Sequence, residues 1–118
     1  MVIINKDTLD METIRGNTAS FAFKCKNKTN NLSLFKDGDT IYFTIRKIIG
    51  GAALLQKTCT SFPNDICTIE VSPQETQALD EGNYIYDLIL QRASGEVDTL
   101  NPNRKYSNYT VKKGVKNE

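Results

Sequence analysis

The chain has 118 residues, 39% of them hydrophobic and 25% charged, which suits one buried core and excludes compositional disorder. Fifteen basic and 14 acidic residues leave a net charge of +1, so there is no electrostatic footprint for nucleic acid or an anionic membrane. Histidine is absent, which excludes Ser-His and Cys-His catalysis, histidine-held metals and a histidine pH switch.

The opening segment Met1–Asp7 has four consecutive apolar residues before it turns polar, short of the core of about 7–15 that a signal peptide needs. No later run approaches the roughly 18–20 apolar residues of a spanning helix. The expectation is a protein made in a cytoplasm, without signal peptide or membrane partner. Three cysteines, Cys25, Cys59 and Cys67, fit that setting, because an odd number cannot pair completely and their spacing matches no zinc or redox signature. Cys59 and Cys67 could oppose each other across a hairpin, so one disulfide is open, with small buried apolar side chains the simpler reading. The triplets at Asn27, Asn31 and Asn108 match the glycosylation pattern, but about two such matches are expected by chance in a chain this rich in Asn, Ser and Thr.

The periodicity along the chain is two. Over Ser20–Lys26 it puts Phe21, Phe23 and Cys25 on one face and Lys24 and Lys26 on the other. Thr40–Arg46 alternates Ile41, Phe43 and Ile45 inside with Tyr42, Thr44 and Arg46 outside, and Ile66–Ser72 alternates Cys67, Ile69 and Val71 with Thr68 and Glu70. Each reads as a strand with one wet face in an antiparallel sheet. Polar loops or turns at Lys28–Asn31, Lys36–Asp39, Gly50–Gly51, Phe62–Asp65 and Ser94–Glu96 separate these strands and a further one over Ala53–Cys59. Such short spacing suits a sandwich or barrel and leaves no room for helical crossovers. One helix is expected at about 72–80, where Ser72-Pro-Gln-Glu75 is a capping box with proline at the first helical position. No repeat or linker divides the chain, so a single domain over 1–118 with a fraying polar tail from about 112 is expected.

The most specific local feature is Asp80-Glu-Gly-Asn-Tyr-Ile-Tyr86. It resembles the E–F corner of immunoglobulin-like domains, where the first tyrosine bonds back to upstream backbone. Tyr84 takes that role, while Tyr86 stands at the usual cysteine position; without tryptophan the antibody-type pin is missing. The resemblance implies an antiparallel β-sandwich of about 7–8 strands, with Phe21, Phe23, Phe43, Ile45, Tyr86 and Leu88 in the core. The strand Tyr84–Arg92 is apolar on both faces, because Ile85 and Ile89 lie opposite Tyr84, Tyr86, Leu88 and Leu90. Either a loop or terminus such as Val2–Ile4 covers its outer face, or that face is a subunit contact.

Further stretches, in order, are Ile14–Phe21, Asp37–Arg46, Leu55–Thr58, Val71–Leu79, Glu81–Asp87 and Gly95–Leu100. Together they resemble the N-terminal immunoglobulin-like domains of baseplate upper proteins of phages that infect Gram-positive bacteria. The likeness spans roughly residues 13 to 111, with Asn17 where the family often has aspartate and a polar loop at Asn101–Lys105 after the last stretch. It implies a structural module of a phage tail, baseplate or neck, located in the virion. Its partners would be other phage structural proteins and copies of itself, with no nucleic acid, membrane or small-molecule substrate. Receptor binding is not carried over, since it resides in a C-terminal part of the family that these stretches do not reach.

No arrangement of residues suggests catalysis, and no catalytic, cofactor or metal residues are assigned. Asp37 and Asp39 could offer oxygens to calcium, but such a site needs about six ligands, and aspartates bonding their own turn are the simpler explanation. Arg104–Lys113 interleaves Tyr106 and Tyr109 with basic residues, a pattern that could stack bases but also fits an alternating strand. The alternative to an assembly role is a carbohydrate-binding or adhesion sandwich, for which Tyr42, Tyr106 and Tyr109 are the only aromatic candidates.

Overall fold

The computed structural model describes residues 2–4, 8–25, 30, 32–101 and 106–113. Among the described residues nine strands run in chain order as β1 (Val2–Ile4), β2 (Met11–Ile14), β3 (Ala19–Phe23), β4 (Thr40–Arg46), β5 (Ala53–Cys59), β6 (Cys67–Val71), β7 (Gly82–Gln91), β8 (Val97–Thr99) and β9 (Ser107–Lys112). A 3₁₀ turn at Pro63–Asp65 precedes β6, and the helix α1 (Pro73–Gln77) separates β6 from β7. The large sheet has the order β1-β2-β9-β7-β4-β5, with β8 also on β7, and the small sheet consists of β3 and β6. This is the expected all-β sandwich. By partner and order, β3 and β6 stand as strands B and E of an immunoglobulin-like fold, and β4, β7 and β9 as C, F and G.

Two details differ from the expectation. The short β1 and β8 raise the strand number among the described residues to nine, and β2 runs parallel to β9, pairing Met11 with Tyr109 and Ile14 with Lys112. Lys112, expected to begin the tail, therefore closes a strand, and its carbonyl accepts from Arg15 N–H at 2.9 Å. Residues 26–29, 31, 102–105 and 114–118 lie outside the described residues, and with them Lys26, Asn27, Arg104, Lys105, most of the expected loops around them and the rest of the tail.

One cluster of buried side chains joins the sheets. Phe21 of the small sheet meets Phe43 of the large one at 5.2 Å between ring centroids, and Phe43 packs on Tyr86 at 5.1 Å and Tyr109 at 6.1 Å. Such pairs add about 0.5–1.5 kcal/mol each beyond their buried area. Of the core expected from the sequence, only Phe23 falls short; it is half-buried at the end of β3. Tyr86 fills the position of the missing disulfide cysteine, and its hydroxyl donates to Leu9 O at 2.5 Å, tying β7 to the segment before β2. Tyr84 makes the expected corner: its hydroxyl donates to Asp80 O at 2.7 Å.

The helix is shorter than expected, five residues in place of about nine, but its start forms as the capping box requires. Ser72 Oγ accepts from Glu75 N–H at 3.2 Å while Glu75 Oε1 accepts from Ser72 N–H at 2.9 Å. Lys57 Nζ lies 3.0 Å from both carboxylate oxygens, which turns the β5 lysine inward onto the helix. These bonds, the Ser72 amide first, hold the Glu75 carboxyl below the usual range. A depressed carboxyl stabilises the fold above its unfolded pKa, about 4.3, and that contribution disappears as pH falls through the folded value. Glu75→Gln is expected to cost about 0.5–1 kcal/mol at pH 7, with the gap to wild type closing below about pH 4 in urea titrations at each pH. A gap constant with pH would contradict this.

Thr13 and Tyr109 carry the opposite lesson. Both hydroxyls are buried, face each other across β2 and β9, and complete no well-formed hydrogen bond. Removing both members of an unsatisfied pair is close to neutral or stabilising. The Thr13→Val/Tyr109→Phe variant is therefore expected to keep or exceed the wild-type denaturation midpoint, and a loss above about 1 kcal/mol would show that the hydroxyls are satisfied.

Candidate functional site

β4 and β7 lie side by side in the large sheet, and the same alternation that buries Phe43 and Tyr86 sends Tyr42, Thr44, Arg46, Ile85, Asp87 and Ile89 outward. This face is not wet as expected. Thr44 is 2% exposed, since the neighbouring Gln56 covers it and donates to its hydroxyl at 3.0 Å, and Tyr42, Ile85 and Ile89 are half-buried. Val97 on β8 points the same way by register, Leu54 lies exposed at the register shift of β5 two residues from Gln56, and Tyr106 leads into β9 beside Ile85. The β4–β5 hairpin ends in Ile48, Ile49, Gly50 and Gly51, with Gly50 at φ +74°, a conformation that suits glycine at the tip. Ile48 and Ile49 are 66% and 69% exposed there.

Five of the six exposed large hydrophobics among the described residues, Ile48, Ile49, Leu54, Val97 and Tyr106, thus belong to this face or its hairpin tip; the sixth is Leu32. The outer face of the small sheet is instead built from Ser20, Ala22, Thr68 and Glu70, all exposed. Where β4 enters its hairpin, Arg46 Nη1 lies 3.3 Å from Asp87 Oδ2, with the two side chains 31% and 25% exposed. Burial pushes the Asp87 carboxyl above its usual range, and the Arg46 guanidinium opposes that shift. Arg46, Ile49, Ile85, Asp87 and Tyr106 line an open depression of about 730 Å³.

Of the two explanations for the apolar outer face of β7, a cover by Val2–Ile4 is overturned. β1 pairs with β2 at the far edge of the large sheet, and Ile4 packs against the core. Beside it, Ile4, Leu9, Met11, Phe21, Phe23 and Leu100 wall a second, smaller cleft of about 380 Å³, where the small sheet ends after two strands.

The remaining candidates resolve individually. Asp39 is 3% exposed, and its carboxylate accepts from Lys36 N–H at 3.0 Å and from Arg92 Nη1 at 2.7 Å, so it serves its own turn; Asp37 is exposed. Tyr109 is fully buried, which removes it both from a sugar-stacking platform and from a base-stacking stripe, and leaves Tyr42 half-buried and Tyr106 40% exposed. Cys25, Cys59 and Cys67 are free thiols. Burial raises the Cys25 and Cys67 thiols, Cys67 further through the adjacent Cys59, which is the reverse of nucleophile activation.

Comparison of the chain with protein-family models, curated proteins and solved structures finds no match.

Ile48, Ile49, Leu54 and Val97 were not singled out by sequence reasoning. A signal existed for three of them: Ile48–Leu55 is apolar or glycine throughout, in a place where hairpin turns are ordinarily polar.

Proposed function

We propose that this protein is a non-enzymatic structural or assembly module of a phage or prophage particle, in its tail, baseplate or neck, working through protein–protein contacts in the virion after synthesis in the bacterial host. The observation that carries the contact role is the apolar outer face of the large sheet. Exposed apolar side chains gathered on one sheet face and its hairpin tip, Ile48, Ile49, Leu54, Val97 and Tyr106, are costly in water and favour a binding surface. The phage assignment is supported by the ordered likeness of the stretches between Ile14 and Leu100 to baseplate upper protein domains.

The mechanism is mechanical. A rigid sandwich presents a sheet face whose side chains are held in place by the ladder behind them, so contact requires little ordering of either partner. Phage particles purified from the induced source strain are expected to contain the chain in stoichiometric amount by quantitative mass spectrometry. Its absence from particles in which other tail proteins are detected would overturn the assignment.

A further inference from the structure

The outer face of the large sheet is self-complementary. It carries one cation and one anion, Arg46 and Asp87, 3.3 Å apart, in a depression shared with Ile49, Ile85 and Tyr106. A partner of different sequence would have to match both signs at that spacing. A second copy matches them automatically: a 180° rotation about an axis in the contact plane, passing between the two side chains, sets each Arg46 over the other copy's Asp87. The four charges then form a closed alternating cluster in which none is buried alone.

The dimensions approach those of a small interface. Four strands about 4.8 Å apart and about seven residues at 3.3 Å give a projected footprint of roughly 450 Å² per copy. Side-chain relief and the Ile48–Ile49 tip raise this toward the about 600 Å² per partner at the lower bound of specific interfaces.

We infer that a second copy of this chain docks on the outer face of the large sheet, in a two-fold dimer centred on Arg46 and Asp87. The inference rests on the reading of this face as a protein contact, and is independent of the phage assignment. Sedimentation of the full chain across a micromolar to near-millimolar series is expected to show concentration-dependent formation of a species of twice 13.3 kDa. Ile49→Asp, at a position 69% exposed and so harmless to the fold, is expected to weaken that association at least about tenfold. Arg46→Glu and Asp87→Arg, each shown folded by circular dichroism, are expected to be monomeric alone and to form a heterodimer when mixed.

A wild-type monomer throughout the series, an unchanged dimer for Ile49→Asp, or folded charge variants that stay apart on mixing would each overturn the second copy as occupant. The assembly role would then still stand or fall on particle composition. A dimer with the chain absent from particles would sink the phage assignment alone.

Discussion

Asp39→Ala is expected to destabilise the protein by about 3 kcal/mol, the lower end of the range for breaking a buried ion pair. That is a fall of about 10–15 °C in melting temperature for a chain of this size. The carboxylate is 3% exposed and does two tasks, accepting from Lys36 N–H to close the turn before β4 and from Arg92 Nη1 at the end of β7. Arg92 also donates to Leu34 O, so the guanidinium pins the segment leading into β4 onto the far end of the sheet. Deleting the carboxylate leaves a cation, 21% exposed, without its counter-charge and an amide without its acceptor. The partial exposure of Arg92 places the effect at the low end, because water reaches the orphaned charge. The Asp39→Ala/Arg92→Met double variant is expected to lose less than the sum of the single changes. Additive losses in chemical denaturation would contradict the pairing.

Asn101→Ala is expected to cost about 2–3 kcal/mol, because it strips a buried backbone donor of its acceptor. β7 pairs with β9 over Gly82–Tyr86 and with β8 over Ile89–Gln91, and between them the ladder has a gap. Asn101, 2% exposed, fills it: Oδ1 accepts from Leu88 N–H at 2.6 Å and Nδ2 donates to Ser107 Oγ at 3.0 Å. Ser107 passes the chain on to Thr8 O at 2.7 Å. The side chain therefore stands in for a missing rung. Asn101→Asp distinguishes this from simple packing. Its ionised form retains the acceptor but loses the donor and buries a charge, whereas the protonated form can do both tasks. Burial raises such a carboxyl, so the variant is expected to gain stability relative to wild type as pH falls through that raised pKa, by proton linkage. A deficit of Asn101→Asp independent of pH would argue against the role.

These two positions illustrate which parts of the molecule local sequence cannot reveal. Asp39 and Asn101 are ordinary turn residues by composition, and each owes its importance to a group 53 and 13 residues away. By contrast, Tyr84 announces its role through its neighbours, since the corner bond spans four residues and depends only on local geometry. The capping box at Ser72 is equally local. Its helix ends early, at Gln77, and the chain must then turn through the corner into β7 at Gly82.

The candidate interface divides in the same way. That β7 is apolar on both faces follows directly from the alternation of Tyr84–Leu90, and Ile85 and Ile89 were legible as outward residues. Whether anything covers them is not a property of the strand. It depended on Val2–Ile4 pairing beside β2, a contact decided by long-range strand pairing. The burial of Tyr109 is a related case. Its segment reads as basic and aromatic, but the parallel pairing of β2 with β9 sets its phase and turns the ring into the core.

By itself, then, the sequence determined the period of two, the turns, the helix start and the tyrosine corner, because each arises from interactions within a few residues. Only the tertiary structure decided which strand edges meet, that β2 runs parallel to β9, and that Leu54, Val97, Tyr106 and the Ile48–Ile49 tip gather exposed at one face of the large sheet. Those outcomes depend on burying the whole set of apolar faces at once, and the face left over emerges only after every other strand has been placed.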